Sequence, residues 1–329
     1  MTKVVIDPDA HPDDGFHVPI DDDPAWTETC WFTFTVPERD LSAQLYPFFR
    51  PNLGVVAAGA YVWDPSGDQV WSCRYAKNFW HLPLPAQPLT DIALANGIRY
   101  RTLEPEHRYH VVYDDPDAGE RASGATGKGD ALHIDVTFTG ICPPSRLGET
   151  HLDQPCRVEG RIVLDGEDIA VDGFGFRDRS WGHRSQVGEM LVGGFAAHGG
   201  YSYATASAAD AFHTITMDWG EGCRSIHGFL LRDGTRARLA EGLREVVDRD
   251  ADGFPRRVRI TGTDELGREL EAEGRCRNRL VFPINPNLLT VNCLTEWTFG
   301  DVVAVGEDHD NWSAAAIRRH VRSARAVAD

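Results

Sequence analysis

Apolar and polar residues alternate along much of the chain, with the period of two that is typical of β-strands. The clearest run has apolar side chains at every second position, namely Leu132, Ile134, Val136 and Phe138. Residues 257–261 and 269–273 repeat the pattern with charged residues on the polar side. Strands of this kind cover a core with one face, so the pattern predicts an antiparallel, all-β protein.

Turn signals separate the strand-like runs at hairpin spacing. Asp-Gly between two such runs favours a tight two-residue turn. The pair occurs at Asp165-Gly166, Asp233-Gly234 and Asp252-Gly253. Many strands joined by short turns favour a barrel or a sandwich over a parallel sheet with helices. No glycine-rich phosphate loop lies between a strand and a helix in the sequence, so a nucleotide-binding fold is not expected.

Two segments depart from the alternating period and predict helices. The first covers residues 89–96, with Gly97 as its C-cap. The second covers residues 313–327, with Asn311 or Ser313 as its N-cap. Arginines lie toward the end of this second segment, where positive charge is favourable to the helix dipole.

A chain of 329 residues is too long for one small core, so more than one domain is expected. Residues 1–23 are rich in Asp and Pro and predict an extended lead-in. The proline-containing stretch 142–155 predicts a boundary. We therefore expect an N-terminal β domain at 24–150 and a C-terminal β domain with the terminal helix at 151–329.

Composition narrows the class of protein. The formal net charge of −17 disfavours nucleic acid or an anionic membrane as partner, since both require a basic surface. The seven cysteines include no Cys-x-x-Cys pair, which indicates reduced thiols and predicts neither a zinc site nor a disulfide framework. The N-terminus lacks an apolar signal core, and no apolar run is long enough to span a bilayer. We expect a cytoplasmic protein without an integral membrane segment.

The densest group of reactive side chains lies in residues 173–184, directly after a strand-like run. If the strand continues, Asp178, Ser180 and Gly182 share one face. The opposite face then carries Arg177, Arg179, Trp181 and His183. Asp178 serves either to fix a turn or as a catalytic acid. His183 is either a structural residue or a general acid or base near neutral pH.

Two further carboxylates are candidate proton donors. Glu307 lies in a glycine-led acidic cluster after a strand-like run, and Glu296 directly precedes Trp297. A carboxylic acid in an apolar barrel has a raised pKa and can donate a proton. The alternative for Glu307 is a solvated loop. No local spacing predicts a metal site from the histidines on successive strand-like segments, which are His198, His213 and His227.

Aromatic residues are abundant near these polar clusters. Some of them are expected to fill the core, but a cavity lined by them would bind an apolar ligand, and their π faces would stabilise a carbocation. The aromatic substrate-binding residues that we predict are Trp181, Tyr201, Tyr203, Phe195 and Trp297, and Arg177 on the face of Trp181 is also predicted to bind the substrate.

The segment from Asp172 to Gly182 resembles the Asp-His-x-Trp-Gly signature of the lipocalin-like carotenoid 1,2-hydratase (hydroxyneurosporene synthase) superfamily, and is most similar to its two-domain bacterial branch. Weaker similarities lie at residues 26–34, 50–52 and 306–307. The resemblance implies two calycin-like or lipocalin-like antiparallel β-barrel domains with a ligand cavity. Asp178 and Trp181 occupy the signature Asp and Trp, whereas Arg179 replaces the usual His and cannot release a proton near neutral pH.

Together these features predict a cofactor-independent hydratase or dehydratase acting on a hydrophobic alkene or tertiary alcohol, which the resemblance indicates is terpenoid. The proton donor would be Asp178, Glu307 or Glu296, and His183 or Tyr201 would orient water or accept a proton. One alternative is an isomerase or cyclase that uses the same acid. Another is a non-catalytic carrier of a hydrophobic ligand. Neither a cofactor nor a metal is predicted, and a homodimer is left open.

Overall fold

The computed structural model describes residues 4–115, 131–184, 197–285 and 287–328. These residues form almost entirely β structure, as predicted. The chain divides into two compact units. The first contains Met1–Val36, Ser42–Val62 and Arg74–Arg184, and the second contains Pro37–Leu41, Trp63–Cys73 and Ser185–Asp329.

The first unit is built on an open, half-barrel sheet in the order β4-β3-β2-β1-β11-β10-β8-β7-β6-β5, with β9 paired to β10. The neighbouring strands for which the structure gives a register are antiparallel. The strands are β1 (Trp26–Val36), β2 (Leu41–Arg50), β3 (Val55–Trp63), β4 (Tyr75–Pro83), β5 (Asp91–Ala93), β6 (Ile98–Glu104), β7 (Arg108–Asp114), β8 (Leu132–Gly140), β9 (Ser145–Arg146), β10 (His151–Leu164) and β11 (Glu167–His183). Single 3-10 turns follow β1 at Pro37–Arg39 and β2 at Pro51–Leu53.

The second unit is a closed eight-stranded barrel followed by a helix. Pairing of β17 with residues 295–299 of β19 closes the barrel, and β18 pairs with residues 288–292 of the same strand. Its elements are β12 (His198–Thr205), β13 (Ala211–Asp218), β14 (Cys223–Arg232), β15 (Thr235–Arg249), β16 (Pro255–Asp264), β17 (Glu269–Cys276), β18 (Leu280–Asn285), β19 (Leu288–Phe299), β20 (Val302–Ser313) and α1 (Ala314–Ala328).

An apolar core fills one end of this barrel. It includes Phe212, Leu230, Trp297 and Phe299, all of which are buried. The Trp297 ring meets Phe212 edge to face, with ring centroids 5.2 Å apart. Because inward positions alternate with outward ones, the strands that build this core also carry polar side chains on their other faces.

Tight Asp-Gly turns set the registers of the long hairpins. Asp165 and Gly166 have φ angles of 54° and 84°, as a type I′ turn requires. The β10–β11 pairing then runs without a register shift from Leu164 opposite Glu167 to His151 opposite Ser180. The predicted hairpin is therefore confirmed, and its register decides which side chains meet far from the turn.

The two predicted helices had different outcomes. The prediction for residues 89–96 was wrong, because the segment contains β5, which pairs with β6, and its side chains alternate between exposed and buried. Gly97 is therefore not a helix C-cap but lies in the turn between β5 and β6, with a φ of 96°. The C-terminal helix is confirmed, and the Ser313 hydroxyl accepts the Ala316 N–H at 3.3 Å as an N-cap.

The boundary at residue 150 between the two predicted domains stays a prediction. The compact units are divided differently, since β10 and β11 pair with β8 and β1 in the sheet of the first unit.

Gly306 marks a close approach between β12 and β20. A methyl group on Gly306 would lie 1.9 Å from the backbone oxygen of Tyr203, which is fixed in the β12–β20 ladder. We expect Gly306→Ala to lower the free energy of unfolding by about 1–3 kcal/mol, measured by urea denaturation. In the control Gly173→Ala the nearest atom would be 3.5 Å away. Equal stability of the two variants would contradict this packing.

Candidate active site

Strand β11 presents its reactive side chains on two different faces, as the sequence predicts. Asp178 and Ser180 face the same side as Trp31 and Thr29, their register partners on β1. The hydroxyls of Ser180 and Thr29 are hydrogen-bonded at 2.6 Å. Arg177, Arg179, Trp181 and His183 occupy the opposite face, so the strand separates the predicted acid from most of the residues predicted to surround it.

The face of Asp178 brings together an imidazole and two carboxylates. His151 and Asp153 lie on β10, where Asp153 is the register partner of Asp178. The His151 Nε2 atom is 2.9 Å from Asp153 Oδ2 and 3.6 Å from Asp178 Oδ2. Asp153 is fully buried and Asp178 nearly so. The arrangement is an imidazole shared unequally between two acids.

This environment shifts the pKa values of both partners. Burial, reinforced by the negative charge of Asp153, raises the pKa of Asp178 to about 6, although His151, Arg184 and Arg177 oppose the shift. Burial acts to lower the pKa of His151, but Asp153 and Asp178 outweigh it and raise the pKa to about 9. At neutral pH, His151 is a cation and Asp178 is an acid close to its titration point.

An aromatic pair completes this face. The Trp31 indole donates to Gln44 Oε1 at 3.0 Å, which fixes the ring on the strand next to Asp178. The Tyr46 hydroxyl interacts with Thr29 and Arg184, and burial raises its pKa, so the phenol stays protonated. The rings of Trp31 and Tyr46 lie 6.2 Å apart. The acid therefore has an aromatic environment and a hydroxyl donor on its own face.

On the opposite face, two buried arginines form a structural cluster. Arg177 donates to Asp14 Oδ1 and Arg179 to Glu28 Oε2, each at 2.7 Å. The Arg177 guanidinium also lies over the Tyr109 ring, 4.2 Å from its centroid. Both arginines are therefore buried ion-pair partners. The fold requires them in this role, whatever the protein binds.

Trp181 and His183 share this opposite face. Trp181 stacks on His17, with ring centroids 3.9 Å apart and planes inclined by 13°. His183 is exposed and contacts the Asp21 carboxylate at 3.0 Å. That contact raises the pKa of His183. Neither side chain shares the face of Asp178.

Glu307 and two predicted tyrosines come together in the second unit. Glu307 is buried and lies opposite Tyr203 in the β12–β20 register. Its carboxylate is 3.0 Å from His309 Nε2. The His309 ring stacks on Tyr201 at 5.5 Å. This group is a second carboxylate–imidazole pair. The sequence predicts Glu307 as an acid but does not predict His309 as its partner.

The remaining predicted residues lie elsewhere. Glu296 is partly exposed and forms ion pairs with Arg275 and Arg277, at 3.0 and 3.7 Å. Trp297 belongs to the apolar barrel core. Phe195 lies outside the described residues. Glu296 lies on the same sheet face as Glu307, because its register partner Val305 is two residues from Glu307, whereas Trp297 lies on the opposite face.

His151 and Asp153 are the site residues that sequence reasoning missed. A usable signal was present in the Asp165-Gly166 turn. Counting outward from the Leu164–Glu167 pair of a hairpin without a bulge places Asp153 opposite Asp178. Both residues would have been identified by counting along this unbroken register. No local motif identifies them.

Some clusters of histidine and carboxylate side chains contain the residue types that bind metal cations. The trio His151, Asp153 and Asp178 has ligand atoms within 4.8 Å of one another, but the imidazole already lies between the carboxylates as their cation. In the first unit, His11, Asp13 and Glu106 form a similar group. There Arg146 forms an ion pair with Asp13 and supplies positive charge.

A groove of about 440 Å³ runs along the barrel of the second unit. Its lining is polar and includes Arg224, Glu241, Thr261 and Glu271. It contains none of the predicted site residues, so we do not assign it to the substrate. Within the described ranges, no helix is both long and apolar enough to cross a membrane.

Solved structures with the same fold include three proteins of low sequence identity. A protein assigned provisionally as AttH from Nitrosomonas europaea has a TM-score of 0.62 at 16% identity, covering 94% of this chain and 98% of its own. Kievitone hydratase from Nectria haematococca has a TM-score of 0.51 at 8% identity, covering 88% and 89%. CghA with Sch210972 has a TM-score of 0.50 at 12% identity, covering 88% and 89%.

These likenesses show that the chain shares its overall fold with these three proteins. The chain belongs to the protein family described as "Domain of unknown function (DUF7064)", which matches residues 10–309. No curated protein matches the sequence.

The raised pKa of Asp178 has a consequence for stability. Its folded-state pKa of about 6 exceeds the unfolded value of about 3.9, so the protein takes up a proton on folding, and this contribution is lost as pH rises through 6. We expect Asp178→Asn to raise the free energy of unfolding at pH 8 by about 1–3 kcal/mol and to change it little at pH 4, measured by urea denaturation.

Asp310→Asn provides the opposite comparison. Asp310 accepts hydrogen bonds from Arg244, Arg249 and His198, and despite its burial the charge of Arg244 holds its pKa well below the usual range. Such a group stabilises the fold above its unfolded pKa, so its replacement should destabilise the protein at pH 8 by about 3–5 kcal/mol. Destabilisation of both variants at pH 8 would contradict our interpretation of Asp178.

Proposed function

We propose that this protein is a hydratase or dehydratase that uses Asp178 as its proton donor. The observation that carries the proposal is a buried carboxyl group with a pKa of about 6, held beside a protonated imidazole on a face that also carries Trp31 and Tyr46. Removing a carboxylate from water and giving it only a share of one cation is unfavourable for folding. Such an arrangement is typical of catalytic acids.

The reaction follows from the chemistry of this group. In hydration, the Asp178 proton is transferred to one carbon of a C=C bond, whose π electrons form the new C–H bond and leave a tertiary carbocation. Water then attacks the cation through its oxygen and returns a proton to the Asp178 carboxylate. The substrate gains one water and the acid is regenerated. Dehydration is the reverse sequence.

The neighbouring groups have distinct roles in this scheme. The rings of Trp31 and Tyr46 stabilise the cation by cation–π interaction. The Tyr46 O–H positions the attacking or leaving water. His151 stabilises the Asp178 carboxylate after proton transfer, and Asp153 keeps His151 charged and oriented.

The substrate class is part of the proposal. The proposed reaction uses no cofactor, and its acid lies beside aromatic rings. Such a site is suited to an apolar alkene or tertiary alcohol, and we propose that the hydrophobic small-molecule partner is a terpenoid. The fold that the chain shares with kievitone hydratase supports hydration chemistry. A cytoplasmic location and a homodimer remain predictions.

The most direct activity test combines an isotope with a matched variant. Purified protein is incubated in H₂¹⁸O with linalool, nerolidol and their parent alkenes, and products are identified by mass spectrometry. We expect ¹⁸O-labelled tertiary alcohol or released alkene from the wild type. Asp178→Asn should lower the rate at least about 100-fold, since general acid catalysis contributes a factor of that order. The control Asp172→Asn changes an exposed carboxylate on the same strand and should retain full activity.

The same assay separates the alternatives. A rearranged product without ¹⁸O would indicate an isomerase or cyclase that uses the same acid. A tightly co-purified apolar molecule without any product would indicate a carrier. If Glu307→Gln abolishes turnover while Asp178→Asn does not, the acid is in the second unit and the proposal for Asp178 fails.

The pH dependence gives an independent prediction. Because the protonated acid is the active form, kcat/KM should fall as pH rises through about 6. The negative charge of Asp153 helps to raise the pKa of Asp178, so Asp153→Asn should move this fall to lower pH. Stopped assays across pH 4–9 measure the midpoint, and Asp172→Asn should leave it unchanged. An unshifted midpoint in Asp153→Asn would argue against the coupling.

A further inference from the structure

Three metal-ligating side chains lie side by side at one end of the barrel strands β12, β13 and β14. His198 is the register partner of Asp218, and Asp218 is the register partner of Cys223. Directly paired residues on antiparallel strands point to the same face of the sheet. The topology therefore brings an imidazole, a carboxylate and a thiol to one face, although they come from three different strands.

The distances are those of a shared metal ion. One ligand atom from each side chain lies within 4.8 Å of the other two. The His198 Nδ1 atom is 3.4 Å from Cys223 Sγ. In a tetrahedral zinc site with standard Zn–N and Zn–S bonds, the corresponding N···S separation is about 3.6 Å.

Surrounding groups hold two of the ligands in the required orientation. His198 Nε2 contacts Asp310 Oδ1 at 2.7 Å, which directs Nδ1 toward Cys223. A carboxylate on the far nitrogen is the usual orienting partner of a metal-bound histidine. Asp218 Oδ1 accepts the N–H groups of Gly220 and Gly222 at 2.7 and 3.1 Å, so this carboxylate is also fixed by its own turn.

Charged groups surround His198 in the adjacent cluster. Arg244 pairs with Asp308 and Asp310, Arg249 also pairs with Asp310, and the His198 imidazole shares that carboxylate. The carboxylate of Asp218 and a thiolate at Cys223 would together add two negative charges. A divalent cation matches that charge, and nitrogen with sulfur among the ligands favours zinc over calcium or magnesium.

We propose that His198, Asp218 and Cys223 form a binding site for Zn²⁺. Three protein ligands leave one tetrahedral position for water or a small ligand, so the site is of the open kind. Cys223 is buried, whereas His198 and Asp218 are half-buried and give the ion a path from solvent. The site uses none of the residues assigned to the proposed hydratase chemistry.

Cobalt provides a direct spectroscopic test. Titration of the purified, chelator-treated protein with Co²⁺ should give one equivalent of bound metal, tetrahedral d–d bands and a thiolate-to-cobalt charge-transfer band, all displaced by Zn²⁺. Cys223→Ser should abolish the charge-transfer band, and His198→Gln and Asp218→Asn should each weaken binding at least about tenfold. Cys73→Ser is the matched thiol control and should bind as the wild type.

A second measurement uses the unmodified protein and avoids misfolded variants. Saturating Zn²⁺ should slow alkylation of Cys223 by iodoacetamide at least about tenfold, measured by peptide mass spectrometry, while the rate at Cys73 stays unchanged. Circular dichroism checks that each variant is folded. A cobalt spectrum without the thiolate band, or equal alkylation of Cys223 with and without Zn²⁺, would overturn the proposal. Asp178→Asn should bind metal normally, so failure of the hydratase scheme and failure of the metal site are distinguishable.

Discussion

The proposed chemistry depends on one imidazolium placed unequally between two buried carboxylates. His151 is closer to Asp153 than to Asp178, by 2.9 against 3.6 Å. Only the Asp153 distance is that of a hydrogen bond, so the imidazolium is hydrogen-bonded to Asp153 and acts on Asp178 through its charge alone. Asp178 then carries the unfavourable burial and the repulsion from Asp153, and it retains its proton to higher pH. The difference in distance assigns the role of acid to one of two otherwise similar residues.

The reverse face of the same strand supplies rigidity. Arg177 and Arg179 are almost fully buried, and their carboxylate partners come from Asp14 in the segment before β1 and from Glu28 on β1. Breaking a buried pair leaves an unpaired charge, so these contacts resist any rotation of β11. Arg179, at the position where the resembled signature has His, therefore faces away from Asp178. A fixed strand holds the acid in one orientation, as catalysis requires.

Local signals in the sequence predicted the local features of this structure. The alternating period gave the two faces of β11, and Asp-Gly pairs gave hairpins, because both depend on neighbouring residues. The helix predicted at residues 89–96 failed, since pairing of β5 with β6 decided its conformation. Partners from distant strands, such as Asp153 for Asp178, required a register.

The second unit shows the same dependence on pairing between strands. Glu307 was predicted as an acid, but its partner His309 became apparent only when alternation on β20 was combined with burial. His198, Asp218 and Cys223 have no motif spacing, and adjacent barrel strands bring them together. Sequence spacing identifies ligands within one element, whereas pairing between elements assembles these ligands.

The protonation of the Asp178 carboxyl group can be measured without a substrate. The wild-type protein is labelled with aspartate carrying ¹³C at the side-chain carboxyl, and the Asp178 signal is assigned by its absence in Asp178→Asn. Its chemical shift is then followed from pH 3 to pH 9. We predict a titration midpoint near 6. A midpoint at or below the ordinary aspartate value of about 4 would contradict it.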